Sequence, residues 1–377
     1  MENNKLRVLI TTNIPAPYMI DYLCELGKKT ELTVLFEVER AKDRDASWYG
    51  NENPLFKTVF LNGIPCGNES GFSVKVIRYL STKKFDRIII ANPTTPTGIV
   101  ALLYCRWFHV PFIIQSEGGF QGSGKGLKET FKKYLMEKAD FYLTGMGGDN
   151  DYFLQYGATK ERLIPYPFSS LSKKDIEEAN ILLQENKSIL RNELGISEKH
   201  IILSVGRFSY LEGYGKGYDI LMRMAEQVDK NIGFYIIGDE PTQEFLNWKN
   251  EKHLDHVHFV PFKTKNELAK YYVAADVFVI LSRGDTWGLV VNEAMSYGLP
   301  VISSDKCVAG IELVENGVNG FVVSLEDEKH IYNTISELVY DIERCQKYRQ
   351  ASLKKIEAYT IENMAEVIYA GLERSQQ

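Results

Sequence analysis

The sequence lacks an apolar segment long enough to cross a membrane. Its longest apolar stretch, from about Gly98 to Ile114, is interrupted by Arg106, His109 and Pro111. It therefore falls short of the roughly 20 apolar residues that a membrane-spanning helix needs. The N-terminal apolar run is also too short for a secretion signal. We expect a cytoplasmic protein in which any membrane contact is peripheral.

Metal-binding cysteine pairs are also missing. The chain has five cysteines, an odd number, and none of them form a CxxC pair. This usage is typical of a reducing compartment and excludes a zinc knuckle. The segment HLDHVH places His256 and His258 on one face of a predicted strand, with His253 before them, but a zinc site needs a fourth ligand. A loop that leads into a half-buried strand explains these histidines more simply.

An overall excess of positive charge is absent, because the net charge is -6, which argues against a general nucleic-acid binder. The charge is distributed unevenly. Residues 1–168 contain 21 lysines and arginines against 18 acidic residues, whereas the remainder contains 23 against 32. The two halves are therefore expected to face different partners. With 44% hydrophobic and 25% charged residues, the composition is that of a globular protein.

Short runs rich in valine, isoleucine, phenylalanine and tyrosine alternate with helical patterns, which is typical of a parallel sheet covered by helices. In the first half, the predicted strands are 6–12, 31–37, 86–92, 111–115 and 140–145. In the second half, they are 200–206, 232–238, 256–260, 276–282, 300–304 and 320–323. The pattern predicts an α/β protein of two Rossmann-like, doubly wound domains that face each other across a cleft.

A proline-punctuated crossover near Phe168, followed by a charged helical stretch, marks the expected domain boundary. We predict an N-terminal domain over 1–168, a C-terminal domain over 169–358 and a final helix over 359–377. This helix can pack on either domain, including back on the N-terminal one. Open parallel sheets bind ligands at the carboxyl ends of their strands, so we expect the site in the loops that follow strands.

The loop after the predicted strand HIILSV carries the first candidate site residues. Its sequence, GRFSYLEGYGKGYDIL, begins with Gly206 at the turn and contains Arg207 and Lys216. The guanidinium fork and the lysine point charge suit a pyrophosphate, and the loop glycines permit its close approach. Two solvated surface cations would give the same sequence, so the spacing alone leaves both interpretations open.

The second candidate segment is SRGDTWGLVVNEAMSYGLPVISSD, which runs from one strand through a helix to the next. A helix predicted over Gly288 to Tyr297 would point its free amides into the cleft, where they suit a phosphate or a sugar hydroxyl. Asp285 precedes this helix and Glu293 lies within it. No cation is close to them in sequence, so we interpret both carboxylates as acceptors for sugar hydroxyls rather than as salt-bridge partners. The alternative is that Asp285 caps the helix and Glu293 is an ordinary helical glutamate.

The order of these segments resembles that of the retaining glycosyltransferases of family 4, which have the two-Rossmann GT-B fold. The order is GRxxxxxxxxKG, then Gly238 and Asp239 of IIGDEP, then Asp285 to Glu293, then GIELVENGVNGFVV. The resemblance is strong over about Ile201 to Val323. In the first half, the PAPY loop after the first strand and the YPFSSL crossover resemble bacterial members that build surface polysaccharides.

The resemblance implies a role for each matching side chain. Arg207 and Lys216 would hold the donor diphosphate. Glu293 would bind the ribose hydroxyls, and Asp285 would bind a hydroxyl of the transferred sugar. The family usually has a glutamate at the position of Asp285, and the shortening by one methylene leaves the identity of the donor sugar open.

The resemblance also implies donor-binding roles for backbone groups and for one residue of the first half. Gly206 would form the turn against the donor, and the amides of Gly288 and Leu289 would bind its phosphate end. The family often has a histidine after the fourth N-domain strand, and Glu117 in IIQSEGG takes that place here. Glu117 would then face the reacting sugar.

The leaving group dictates the chemistry expected of these residues. Cleavage of the bond from the anomeric carbon to a nucleotide diphosphate builds negative charge on the β-phosphate oxygen, and fixed cations at that oxygen lower the barrier. No DxD-type acidic pair follows an N-domain strand, so Arg207, Lys216 and the helix terminus would take the place of a metal ion. We expect metal-independent transfer with retention and no cofactor, and the diphosphate is the candidate acceptor of the proton.

The resemblance implies an enzyme that moves a hexose or an N-acetylhexosamine from a nucleotide diphosphate sugar, with a UDP-sugar favoured, to a glycan or a lipid-linked oligosaccharide. Capsule, O-antigen or exopolysaccharide synthesis is the expected setting. Two alternatives stay open. A GT-B sugar-nucleotide epimerase would need no acceptor, and a non-catalytic nucleotide-sugar-binding subunit would never release the nucleotide.

The segment GGFQGSGKG approaches a phosphate-binding Walker loop, in which a serine or threonine supplies a magnesium ligand. Gly126 stands at that position here. A glycine-rich loop over the acceptor is therefore the better interpretation than an ATPase.

The helix predicted after this loop carries four lysines between residues 128 and 138, and it places Leu127, Phe131 and Leu135 on one stripe. One interpretation is a helix whose stripe faces the core and whose lysines are solvated. The other is a docking surface, from Lys125 to Lys138, for the anionic headgroups of a membrane that holds the acceptor.

Overall fold

In the computed structural model, the described residues are 5–40, 55–122, 125–147 and 152–374. They form two compact units. Unit 1 contains the residues up to Ser170 and those from Thr360 onward, and unit 2 runs from Leu171 to Tyr359. The chain first passes from unit 1 to unit 2 after Ser170, two residues beyond the predicted boundary at Phe168. Two residues of the Walker-like segment, 123 and 124, lie outside the described residues.

Unit 1 is built on seven strands of a parallel sheet and one short hairpin. The sheet strands are β1 (Arg7–Thr12), β2 (Glu31–Phe36), β3 (Lys57–Phe60), β6 (Arg87–Ile90), β7 (Ile113–Ser116), β8 (Phe141–Thr144) and β9 (Leu163–Pro165), and the hairpin pairs β4 (Ile64–Pro65) with β5 (Gly71–Phe72). The order in the sheet is β3-β2-β1-β6-β7-β8-β9. The central strands are almost entirely buried, as expected when helices cover both faces of a parallel sheet.

Unit 2 is built on a second parallel sheet of six strands. They are β10 (His200–Val205), β11 (Ile232–Gly238), β12 (Val257–Pro261), β13 (Val277–Ile280), β14 (Val301–Ser304) and β15 (Gly320–Val323). Their order is β12-β11-β10-β13-β14-β15. The chain builds the sheet outward from β10 in one direction and then returns to β10 to build it in the other. The strand order therefore reverses between β10 and β13, whose pairing aligns Ile202 with Val277.

The helices between these strands complete both units. In unit 1 they are α1 (Pro17–Lys29), α2 (Pro96–Trp107) and α3 (Leu127–Met136). In unit 2 they are α4 (Lys173–Leu182), α5 (Lys187–Glu193), α6 (Tyr218–Ala225), α7 (Gln243–Glu251), α8 (Lys265–Ala274), α9 (Leu289–Ser296), α10 (Val308–Leu313), α11 (Glu328–Tyr340) and α12 (Ile342–Ile356). The last helix, α13 (Ile361–Arg374), returns to unit 1 and packs against α1, where Glu366 forms an ion pair with Lys29.

The predicted fold class is confirmed for each unit, because all eleven predicted strands are present in two Rossmann-like parallel sheets. Two sheet strands and the hairpin were not predicted. β3 has four residues and none of them is buried, and β9 has only three, so neither produces the long apolar run that marks the inner strands.

The prediction of a core-facing stripe on α3 is wrong for most of its length. Leu127 is 91% exposed and Phe131 45% exposed, and only Leu135 at the far end is buried. The helix contacts the rest of unit 1 through other side chains, since Glu129 accepts from the Tyr156 hydroxyl at 2.6 Å and Met136 is buried. In the described ranges, every helix is too short or too polar to span a bilayer.

Candidate functional site

The two candidate segments of the second half meet at one edge of the unit 2 sheet. The loop at 206–217 follows β10, the loop at 281–288 follows β13, and these strands are neighbours. The amide of Arg283 donates to the Gly215 carbonyl at 2.9 Å, and the Tyr210 hydroxyl donates to the Gly284 carbonyl at 3.2 Å. Open parallel sheets bind ligands at the carboxyl ends of strands where the strand order reverses. The two loops therefore form a candidate ligand site.

Lys216 and Asp285 form an ion pair in this site. The lysine Nζ lies 2.6 Å from Asp285 Oδ2, and each side chain is only 18% exposed. Our interpretation of Asp285 as a carboxylate outside any salt bridge is therefore wrong, because the pairing of β10 with β13 brings in a lysine that is distant in sequence. A lysine ammonium has three donors, so this contact fixes Lys216 without using up its capacity to bind an anion.

The loop after β10 depends on glycines at two close approaches. Gly217 has φ +72, and a Cβ there would lie 2.2 Å from the Leu281 carbonyl oxygen. A Cβ on Gly238, at the end of β11, would lie 1.9 Å from the carbonyl oxygen of Gly206. Side chains at these positions would push the loop away from the sheet edge. The glycines singled out in the sequence thus determine where Lys216 lies.

The start of the same loop is held by Asp239 and by an aromatic anchor. The Asp239 carboxylate accepts from the amides of Phe208 and Ser209. The Phe208 ring is buried and packs against Tyr218 at 4.6 Å between centroids. Arg207, between Gly206 and this anchor, is exposed at the same sheet edge. The structure therefore places both predicted diphosphate ligands, Arg207 and Lys216, on one anchored loop.

The start of α9 faces this loop region with an N-terminus that no side chain caps. Gly288 is the residue before the helix, with φ +102, and the described cap has no side-chain hydrogen bond. Asp285 lies three residues before this cap position and its carboxylate accepts from Lys216, so the alternative that Asp285 caps α9 is wrong. A Cβ on Gly288 would lie 2.7 Å from Cys307 Sγ, so the turn needs glycine. The amides of the first turn of a helix have no intrahelical acceptor, and Leu289 opens this turn.

Glu293 lies one turn further along α9 and is partly buried. Tyr272 of α8 donates to Glu293 Oε2 at 2.9 Å, and the Tyr272 ring stacks on Tyr297 at 5.3 Å between centroids. Burial raises the pKa of the Glu293 carboxyl, and the hydrogen bond from Tyr272 offsets only part of that effect. Glu293 is therefore a desolvated carboxylate with one fixed hydrogen bond, a state that suits recognition of neutral hydroxyl groups.

A network behind the site was not predicted from the sequence. Asp219 of α6 is 2% exposed and accepts from both Arg283 Nη1, at 2.6 Å, and Arg223 Nη2, at 3.0 Å. Arg223 also pairs with Glu328 at 2.6 Å. Arg283 lies in the loop after β13, so the network ties this loop to α6. Asp219 and Arg223 are one helical turn apart on α6, but Arg283 and Glu328 are distant in sequence, so the sequence alone did not reveal the network.

We expect replacement of Asp219 by asparagine to destabilise unit 2 by about 2 kcal/mol, because two arginines lose the buried negative charge and one of its two acceptor oxygens. Urea unfolding would measure the change. The matched control is Asp255→Asn, since the Asp255 side chain is 87% exposed and its nearest cation lies at 3.9 Å. Equal stability of the two variants would contradict a structural role for the network.

In unit 1, Glu117 follows β7 and accepts from the Tyr18 hydroxyl at 3.0 Å. Tyr18 belongs to the PAPY segment, and its ring packs edge-on against Phe168 of the YPFSSL crossover at 6.0 Å. The three segments of the first half that we singled out thus meet at one sheet edge. Tyr18 itself was not predicted as a partner of Glu117. The role of Glu117 toward a donor sugar stays a prediction.

The three histidines of HLDHVH do not converge. The ring of His256 contacts the Ala225 carbonyl at 3.0 Å, and His258 pairs with Glu198 at 2.5 Å. Across the described part of the chain, no three or more histidine, cysteine or acidic side chains cluster as metal ligands. The simpler interpretation of this segment, a loop leading into a half-buried strand, agrees with these contacts.

Comparison with known families gives one match. Residues 186–355 match the family "Glycosyl transferases group 1". The matched range lies in unit 2 and contains the loop after β10, the loop after β13 and α9.

Three curated proteins illustrate the relatives. Spore coat protein SA of Bacillus subtilis is 28% identical over 192 residues, which cover 46% of this chain and 48% of that protein. An uncharacterized glycosyltransferase of Haemophilus influenzae is 26% identical over 333 residues, 84% of this chain and 87% of that protein. An uncharacterized 41.2 kDa protein in the cps region of Klebsiella pneumoniae is 34% identical over 151 residues, 40% of this chain and 39% of that protein. The chain thus spans half or less of two relatives and most of the third.

Two solved structures are similar along the whole chain. Anabaena HepE, in complex with UDP and glucose, has a TM-score of 0.69 at 17% identity and covers 98% of this chain and 99% of its own. Sucrose-phosphate synthase of Thermosynechococcus elongatus has a TM-score of 0.70 at 18% identity and covers 99% of both chains. At these identities the likeness shows the fold, and the predicted GT-B fold is confirmed.

Proposed function

From the premise that residues 186–355 form a glycosyl transferases group 1 domain within a GT-B fold, we propose that the protein is a retaining glycosyltransferase of family 4. It moves a hexose or an N-acetylhexosamine from a nucleotide diphosphate sugar to a glycan or a lipid-linked oligosaccharide. The HepE complex supports a UDP-sugar as the donor. The relative from the cps region supports a role in bacterial polysaccharide synthesis.

The observation that carries this proposal is the Lys216–Asp285 ion pair at the reversal point of the unit 2 sheet. A nucleotide-sugar transfer needs a fixed cation where the diphosphate departs and hydroxyl acceptors for the two sugars. The same sheet edge offers Lys216, the uncapped start of α9 and Glu293. This combination of cation, free amides and desolvated carboxylate matches the three parts of a nucleotide diphosphate sugar.

Each residue of the candidate site has its own role in the proposed reaction. Glu293 accepts hydrogen bonds from the ribose hydroxyls, and Asp285 offers Oδ1 to a hydroxyl of the transferred sugar while Oδ2 holds Lys216. As the bond from the anomeric carbon to the β-phosphate oxygen breaks, that oxygen takes the electron pair. Lys216, Arg207 and the first amides of α9 stabilise the growing negative charge.

Transfer is completed on the same face of the sugar. The acceptor hydroxyl oxygen forms the new bond to the anomeric carbon, and its proton passes to the departing phosphate oxygen. Configuration is therefore retained. The cations of the loop after β10 supply the charge stabilisation, so we propose that the reaction runs without a metal ion or a cofactor.

The test is calorimetric binding of UDP, GDP, ADP and CMP sugars in the presence of EDTA, repeated with Glu293→Ala. Tight binding of one donor that the variant loses supports the proposal and identifies the base for acceptor screens. Product formed from the donor alone would instead support an epimerase. Donor binding without nucleotide release under any acceptor would support a binding subunit. Failure of every donor to bind would contradict all three functions.

We also propose that unit 1 docks on an anionic membrane surface through the exposed face of α3 between Lys125 and Lys138. This face presents Leu127 and Phe131, and the adjacent end of α2 adds Trp107, which is 65% exposed. The Trp107 indole donates to the Tyr134 hydroxyl at 3.4 Å, and the Arg106 guanidinium lies over the Tyr134 ring at 3.9 Å. Apolar side chains ringed by cations are the features that bind a helix at a lipid interface.

Exchange of Lys128 and Lys132 for glutamate is expected to abolish co-sedimentation with phosphatidylglycerol vesicles, because each cation near an anionic surface contributes about 1 kcal/mol. The matched control exchanges Lys329 and Lys354, two exposed lysines of unit 2. Vesicles of phosphatidylcholine should bind none of the proteins. Unchanged sedimentation of the Lys128 and Lys132 variant would rule out this surface.

A further inference from the structure

A second cavity lies at the opposite edge of the unit 2 sheet. It is bordered by the amino ends of three strands, since His200 begins β10, Asp276 precedes β13 and Pro300 precedes β14. Its volume is about 330 Å³. The candidate donor loops follow the carboxyl ends of the strands, so this cavity is separate from the site described above. Its other lining residues come from α5, α11, α12 and the segment before β10.

Cations outnumber acids in this cavity. Lys187, Arg191, Lys199 and Arg349 line it together with His200, and Asp276 is the one carboxylate among the described lining residues. Both Asp276 oxygens are already engaged. Oδ1 accepts from Lys187 at 2.6 Å, and Oδ2 accepts from Arg191 and from the Ile201 amide, each at 2.7 Å. Asp276 forms no hydrogen bond with Lys199, which is exposed, or with Arg349, on which it acts only through its charge.

Burial disfavours the charged forms of two of the lining cations, Lys187 and Arg349. Burial lowers the pKa of Lys187 despite the charge of Asp276, and the positive charges of Arg191 and Arg349 lower it further. Burial likewise lowers the pKa of Arg349. The Arg349 guanidinium makes only a long hydrogen bond, at 3.5 Å, to the Tyr297 carbonyl. An anion in the cavity would offset these desolvated charges.

The remaining lining residues are mostly apolar. They are Ala275, Pro300, Val339, Ile342 and Cys345, together with the polar Gln346. Ligand pockets of 300 to 1,000 Å³ with apolar walls and a few placed polar groups are typical sites for small molecules. We propose that this cavity binds a small organic phosphate, with its phosphate group against Lys199 and Arg349 and its apolar body against Pro300, Val339 and Ile342.

The test uses phenyl phosphate, inorganic phosphate and phenol as probes, titrated by calorimetry at constant ionic strength. The protein carries Lys216→Gln, so that phosphate binding at the candidate donor site is weakened. Phenyl phosphate is expected to bind saturably, inorganic phosphate about tenfold more weakly and phenol not at all. Equal affinity of the two phosphates would overturn the apolar part of the proposal.

Two cavity variants decide whether binding occurs here. Arg349→Gln and Lys199→Gln should each weaken phenyl phosphate binding about tenfold, the loss of one charge-assisted hydrogen bond. Lys199 is the safer variant, because Arg349 also contacts the end of α9. The matched control is Lys354→Gln, an exposed lysine of the same helix as Arg349. No saturable binding, or an affinity in both cavity variants equal to that of the Lys216→Gln parent, would overturn the proposal. Glycosyl transfer does not enter these measurements, so their failure is independent of the proposed function.

Discussion

Replacement of Lys216 by glutamine is expected to lower kcat of the transferase by about 10²- to 10³-fold, or about 3–4 kcal/mol of transition-state stabilisation. The negative charge on the leaving oxygen develops only as the bond breaks, so the effect falls on kcat more than on KM for the donor. Steady-state kinetics with the donor identified by the binding panel would measure it. Lys329→Gln, which removes an exposed lysine of α11, is the matched control.

A double variant tests whether Lys216 and Asp285 act together. In Lys216→Gln the partly buried Asp285 carboxylate loses its cation and stands near the departing phosphate, where it repels the charge that develops. The double variant Lys216→Gln and Asp285→Asn should therefore lose less activity than the two single losses combined. Additive losses would show that the two residues act independently, and a kcat within threefold of the parent would contradict the role of Lys216.

Replacement of Glu293 by alanine is expected to weaken donor binding about 100-fold. Hydrogen bonds from neutral donors to a charged acceptor contribute about 1.5–3 kcal/mol each, and two ribose hydroxyls reach one carboxylate. Calorimetry with UDP-glucose would measure the loss. Glu337→Ala, on the outer part of α11, is the control carboxylate. A donor affinity that stays within a few-fold of the parent would contradict ribose recognition by Glu293.

The pH dependence of that binding has a defined sign. Burial raises the pKa of Glu293, so the carboxylate protonates, and donor affinity falls, at a higher pH than for an exposed glutamate. Tyr272→Phe removes the hydrogen bond that favours the charged form and should move this decline to still higher pH.

The effect of Glu293 on folding stability changes with pH in the opposite direction to that of a carboxyl whose pKa is lowered by folding. The contribution of Glu293 is present below its unfolded pKa and is lost as the pH rises through the folded one.

The inner strands of unit 2, which are β10, β11, β13 and β14, were predictable because each is buried on both faces and therefore reads as a continuous apolar run. The partly buried edge strands β12 and β15 still carry short apolar runs. β15 coincides with the predicted 320–323, and β11 with 232–238. The position of Arg207 at the sheet edge follows from this, because Arg207 comes two residues after the end of β10. The glycines in the loop after β10 and before α9 also allowed the turns in these loops to be predicted.

Pairings across the sheet were not predictable. The partner of Asp285 is Lys216, and the partners of Asp219 include Arg283; both pairs depend on which strands are neighbours, and sequence periodicity does not encode that order. The same limit explains α3. Helical spacing identifies Leu127 and Phe131 as one face of α3. It does not show whether another segment of the chain covers that face.

The return of α13 to unit 1 has a consequence for how the protein is made. Chains are synthesised from the N-terminus and their domains usually fold in that order. Unit 1 contains β1 and α1, yet the contact between α1 and α13 forms only after residues 361–374 have been synthesised, which follows all of unit 2. On the nascent chain, the α1 surface around Lys29, which pairs with Glu366 of α13, therefore stays uncovered while unit 2 is completed. A ribosome stalled before residue 361 would hold an unfinished first unit, in which this surface is a natural place for a chaperone to bind.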